Sequence, residues 1–207
     1  MADVKPQAKT KQKKRAILEQ ALICFSRNGV EGTSIEMLCQ ATGASVGSLY
    51  HHFGNKDAIA AGVFIEGMAD FARLVQSYIE PIQSQQMDDY MRAEMAVKAL
   101  VNANIDWIEQ NPDWARFVFQ HRSVVKQAGQ QDKLNHDIKI FYSGFKDLVG
   151  PLIEQGHLQD FPMGLYRSFI SGPVHEYARH YLSGRESKPL SDYREQFTQG
   201  AWHAIRR

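Results

Sequence analysis

The chain has 207 residues, 43% of them hydrophobic and 23% charged, with a net charge of +1. That composition suits one large or two small folded domains and excludes collagen-like and disordered chains. No apolar run could span a bilayer, two cysteines make no disulfide framework, and the basic first fifteen residues lack the apolar stretch of a secretory signal. The expectation is a cytoplasmic protein with no membrane partner.

The charge is unevenly placed. Residues 1–57 carry eight Lys/Arg against five Asp/Glu, and the remainder carries 16 against 18. Lys5, Lys9, Lys11, Lys13, Lys14 and Arg15 face only Asp3 ahead of Ala16. A basic arm before a compact unit suggests a polyanion as partner, although a solvated tail has the same composition.

The periodicity is helical throughout, with no β-alternating run and no internal repeat. A first helix is expected over Lys11–Asn28, with Ile17, Leu18, Ala21, Leu22, Cys24 and Phe25 on its inner face and Gly29 as its cap. Thr33-Ser-Ile-Glu36 has the form of a capping box opening a second helix that ends near Thr42. Gly43 allows a sharp turn, and Ser45 can cap a third helix over Val46–Phe53. A fourth helix runs from Lys56 toward Ile79, where Pro81 is expected to break it. Further helices are expected over Asp88–Gln110, Trp114–Gln127, Gln131–Gln155, Pro162–Leu182 (kinked at Gly172-Pro173) and Ser191–Arg206.

The segment from Thr33 to Ile59 carries the chemistry. Two short helices joined by a glycine turn let the second enter the DNA major groove while the first lies across the backbone. Leu38, Ala41 and Leu49 are placed inward to lock the pair. Gly47 lets the helix approach closely. Val46, Ser48, His51 and His52 are left to meet bases or phosphates, and Tyr50 and Lys56 can reach phosphates. Thr33 and Ser45, at the helix starts, complete the candidate DNA-binding set of Thr33, Ser45, Val46, Gly47, Ser48, Tyr50, His51, His52 and Lys56.

This segment resembles the helix-turn-helix of the tetracycline-repressor-like (TetR/AcrR) regulators. The matching positions are Thr33, Ala41, Gly43, Ser45, Gly47, Leu49, Tyr50, His52, Phe53 and Lys56. Leu38, Cys39, Thr42, Ala44 and Ile59 depart from the family pattern conservatively. The resemblance covers about residues 11–70. It implies an all-α protein: an N-terminal three-helix DNA-binding domain (11–70) and a C-terminal helical bundle for ligand binding and dimerisation (71–207). It also implies a homodimer on a palindromic double-stranded operator, a repressor released by a small-molecule effector, and no catalytic activity. A different reading is a helix-turn-helix factor whose C-terminal bundle only dimerises.

In the C-terminal two-thirds the sequence offers candidates without a pattern. Trp107, Phe117, His121, Arg122, Tyr142 and His175 could line an effector pocket. Phe169, Tyr177, Tyr193, Phe197 and Trp202 could form the dimer interface, since the last helix is apolar at four-residue spacing and needs a partner. No His/Cys cluster has metal-ligand spacing, and no cofactor is implied. Cys24 and Cys39 read better as small apolar residues than as a redox pair.

Overall fold

The computed structural model describes residues 4–207; side chains are described from Thr10 onward, except those of Lys133, 137–144 and Leu148. The described chain is helical, as expected, and forms two compact units: Met1–Ala69 with Asp113–Asn135, and Asp70–Pro112 with His136–Arg207.

In the first unit α1 (Val4–Gly32) buries Ile17, Leu18, Ala21, Leu22, Cys24 and Phe25, the stripe its spacing predicts. Its regular path ends at Gly29, whose φ of 71° and ψ of 163° are open mainly to glycine. The chain then turns Val30 into the core. Next come α2 (Ile35–Thr42) and α3 (Val46–Phe53), with Gly43 left-handed between them (φ 66°, ψ 9°) and its N–H donating to the Cys39 carbonyl at 2.9 Å.

Two local expectations are corrected. The cap of α2 is Ser34, whose Oγ accepts from the Met37 N–H at 3.2 Å. The Thr33 hydroxyl is already committed, donating to the Gly29 carbonyl at 2.7 Å where α1 leaves acceptors open. Ala41 is exposed rather than inward, because α2 turns Ile35, Leu38 and Thr42 toward the fold and Ala41 lies about 60° to one side. Leu38 and Leu49 are fully buried as expected.

The fourth helix, α4 (Lys56–Ser84), passes through Pro81 instead of stopping there. Its last carbonyls find a donor elsewhere: the Arg92 guanidinium donates to Ile82 at 3.3 Å and to Met87 beyond it at 3.2 Å. Ile82 is buried, which holds the final turn in place. Gly67 of α4 sits where a Cβ would lie 2.7 Å from the Trp114 ring, so glycine is required for that close approach. The expected single helix after Asn111 is two, α6 (Pro112–Gln120) and α7 (Ser123–Gln127), with a turn at His121-Arg122 that brings Val124 and Val125 inward. Phe117 of α6 stacks on Phe25 at 5.9 Å.

In the second unit α5 (Asp89–Gln110) is the central helix. Asp88 caps it, accepting from the Met91 N–H at 2.8 Å, and Ala96, Val97, Val101, Ile105 and Ile108 are buried along it. Around it lie α8 (Gln131–Glu154), α9 (Met163–Ile170), α10 (Gly172–Leu182), a 3-10 turn (Leu190–Tyr193) and α11 (Arg194–Ile205). The expected kink before Pro173 is a full break at Ser171. An antiparallel bridge, Leu158 with Arg206, fastens the end of the chain, the Gln159 N–H donating to the Ile205 carbonyl at 2.9 Å.

Candidate nucleic-acid interface

The first unit presents α3 outward. Ser45 caps it, its Oγ accepting from the Ser48 N–H at 3.2 Å, so the helix begins sharply with its positive end exposed. Leu49 anchors the inner face. On the outer face Val46 is 44% and Tyr50 is 47% exposed, among the few large apolar side chains that the fold leaves uncovered. His51 is exposed and Ser48 and His52 are partly so. A Cβ at Gly47 would meet nothing within 4 Å, so internal packing does not require the glycine.

Two members of the candidate set are placed differently. Thr33 is buried at 1% exposure and serves the α1–α2 junction. Lys56 donates from Nζ to the Glu31 carbonyl at 3.2 Å, an exposed contact at the start of α4. Lys56 thus lies one turn beyond α3, where Asn55 caps α4 by accepting from the Ala58 N–H at 2.8 Å. A cleft of about 400 Å³ runs between α1 and the turn, lined by Lys13, Ile17, Gln20, Gly43, Ser45 and Ser48 among others.

The effector candidates divide between the units. Phe117, His121 and Arg122 belong to the first, and Trp107 and His175 to the second; the Tyr142 side chain lies outside those described. Phe117 is core, His121 rests 4.7 Å from its ring with its pKa lowered by burial, and Arg122 is exposed. Trp107 is buried and donates from Nε1 to Asp70 at 3.2 Å. His175 meets the buried Asn104 side chain at 2.8 Å. Asn104 donates to the Leu100 carbonyl at 2.9 Å and lies 3.4 Å from Ser171 Oγ, so its Oδ1 accepts from the imidazole Nε2–H. Burial, reinforced by Arg179 and Arg167, pushes the His175 pKa down to about 4.

Of the dimerisation candidates, Phe169, Tyr177, Tyr193 and Phe197 keep partial exposure, with Tyr177 edge-on to Tyr193 and Phe197 at 5.4 and 5.9 Å. Trp202 is different: it is 3% exposed within its own chain, packed on Tyr90 at 5.2 Å. It therefore has almost no surface to offer a second copy.

A polar network in the second unit escaped the sequence reading. Asp106 accepts from the Tyr78 hydroxyl and from Arg194, whose other nitrogen donates to Asn102 at 3.1 Å. The hydrogen bond to Asp106 raises the Tyr78 pKa above its ordinary value. The one signal was a lone carboxylate inside the apolar run of α5. No group of three metal-ligating side chains and no helix long and apolar enough to cross a membrane occurs among the described residues.

Comparison with known proteins bears on the same segment. Residues 17–63 match the family described as bacterial regulatory proteins, tetR family. The chain is 28% identical over 117 residues to the transcriptional repressor AcnR of Corynebacterium glutamicum, covering 56% of this chain and 61% of that protein. It is 35% identical over 75 residues to the transcriptional regulator UidR of Escherichia coli K12, covering 36% and 37%. The matches thus span less than two-thirds of these relatives. The crystal structure of the fatty acid degradation regulator FadR from Bacillus halodurans shares the fold over 92% of this chain and 94% of its own, with a TM-score of 0.72 and 20% identity. The capped helix pair, its glycine turn and these matches agree: residues 17–63 are similar to the N-terminal domain of the tetR family.

Proposed function

We propose that the protein is a transcription regulator, a repressor, that binds a palindromic double-stranded operator as a homodimer and leaves it when a small molecule binds. The observation that carries the reading is the outer face of α3: exposed Val46 and Tyr50, and a glycine at 47 that internal packing does not require. A capped helix with that face fits a major groove, and its capped end sets phosphates against backbone N–H groups. The helix-turn-helix within residues 11–70 is the reading head, and the second unit, Asp70–Pro112 with His136–Arg207, dimerises and receives the effector. The name of AcnR, a transcriptional repressor, supports the direction of control, and that of UidR, a transcriptional regulator, supports regulation of transcription.

Two copies are needed because a palindrome presents two half-sites about one helical turn apart. Phe169, Tyr177, Tyr193 and Phe197 supply a partly exposed aromatic surface on α9 to α11 for that pairing. Trp107 and His175 are the candidates in the second unit for contact with an effector. Binding is expected to weaken steeply with salt, since each neutralised phosphate releases counterion.

The test is selection of duplexes from a random library by the purified protein, followed by titration of the selected duplex. A two-fold symmetric site is expected. Tyr50→Ala should lower affinity for it at least tenfold while leaving stability within about 0.5 kcal/mol, as for an exposed residue. Selection of no preferred duplex, or unchanged affinity in that variant, overturns the reading. Screening small apolar compounds by thermal shift tests effector binding, because a specific binder stabilises the folded state.

A further inference from the structure

The last lysines of the basic arm lie near the recognition helix: α1 brings Lys13 and Lys14 to α3. Lys14 Nζ stands 6.0 Å from the centre of the Phe53 ring, and that ring is edge-on to His52 at 6.4 Å. His51 and His52 lie 5.3 Å apart. Lys13 lines the cleft that also holds Ser45 and Ser48, at the other end of α3. Lys13, Lys14 and His51 are exposed, and His52 is partly so.

The signs of these charges matter. Arg15, the next residue along, is answered by Glu19 at 3.1 Å and Glu66 at 3.3 Å. No carboxylate stands within ion-pair distance of Lys13 or Lys14 among the described residues. The charges that bear on His52 are His51 of its own helix and Lys13 and Lys14 of α1, all of one sign; together with partial burial, the first cause, they hold its pKa below the usual histidine value. Like charges gathered this way oppose one another in the free protein, and an anion laid across them relieves the repulsion.

We propose that Lys13, Lys14, His51 and His52 form one patch that grips a phosphodiester strand of the duplex, and that docking loads the His52 imidazole with a proton. This rests on the DNA-binding reading above and adds a partner atom and a proton to it. A phosphate within a few ångströms favours the imidazolium form, reversing the effect of the lysines. The complex then holds more protons than the separated partners. Affinity therefore rises as pH falls toward the histidine range, and the gain is absent at pH above the bound-state pKa. A rise of one unit in a single imidazole amounts to about tenfold in affinity across a full titration.

The experiment is fluorescence anisotropy with the full chain and a labelled duplex that the protein itself has selected, at fixed ionic strength, from about pH 8 to about pH 6. The wild type should bind about tenfold more tightly at the lower pH. His51→Gln with His52→Gln should remove that response. His51→Lys with His52→Lys, charged throughout, should bind tightly with a flat profile even if the glutamine protein binds too weakly to titrate. Lys13→Gln with Lys14→Gln should weaken binding at every pH and reduce the salt slope by about two. A pH-independent wild type, a pH response that survives in either histidine double variant, or an unchanged salt slope overturns the proposal. A wild type that binds no duplex at about pH 8 overturns the DNA-binding reading instead. Thermal melts of each variant establish that it is folded.

Discussion

The two units place their polar groups in opposite ways. The first keeps an apolar interior, sets its candidate chemistry on the outside of α3, and among its described residues buries one polar side chain, Thr33, which bonds four residues back. The second buries or half-buries polar groups whose partners are distant in sequence: Asn104 with His175, 71 residues on, and Asp106 with Arg194, 88 residues on. Short-range chemistry makes a surface that can be read from the sequence. Long-range chemistry makes an interior that only folding assembles.

The sharpest way to break this comparison lies in α11. Trp202→Ala should cost about 3–5 kcal/mol, since it empties a buried site, and should lower the melting temperature at any protein concentration. Phe197→Glu should leave the protomer folded and shift it toward monomer on size-exclusion chromatography. If Trp202→Ala melts like the wild type, the residue is not core and the distinction between these two aromatics fails.

A second test uses acid. The His175 pKa of about 4 lies below the ordinary value of 6.5, so the unfolded chain binds the proton that the folded chain refuses. The neutral ring's contribution is complete above about pH 6.5 and is lost progressively as pH falls toward 4, by up to about 3 kcal/mol. His175→Gln, which can still donate to Asn104, should flatten the stability profile in that window. An unaltered profile would remove His175 from the account.

Asp106→Asn should have a smaller effect, about 1–3 kcal/mol, because Asp106 and Arg194 keep 19% and 35% of their side-chain surface. Its distinguishing readout is spectroscopic: Tyr78, released from the carboxylate, should titrate at lower pH in an ultraviolet absorbance titration. In the first unit, Ser34→Ala should cost about 1 kcal/mol through loss of the α2 cap. A negligible loss there would return the capping role to Thr33.

The limits of the sequence follow the same division. The bounds of α3 were legible because Ser45, Gly54 and the turn at Gly43 act within four residues. Pro81 misled because what holds the turn after it is distant: Ile82 is buried, and Arg92 of the next helix donates to the Ile82 carbonyl. Ala41 misled because an eight-residue helix holds too few apolar positions to fix its inner face. The effector candidates were chosen as aromatic and polar residues in apolar stretches, a criterion blind to which unit each joins. Trp202 stands next to the four-residue repeat of Tyr193, Phe197, Ala201 and Ile205, and an apolar helix face reads the same whether its cover is Tyr90 or a second copy.

Gly47 shows what the outer face of α3 demands of the molecule as a whole. An alanine there would fit the empty space and stiffen the helix by several tenths to about 1 kcal/mol. A laboratory lineage selected for heat resistance alone should therefore drift away from glycine at this position, while one selected for gene control should hold it. Sequencing both lineages would show whether durability and recognition compete at a single methyl group.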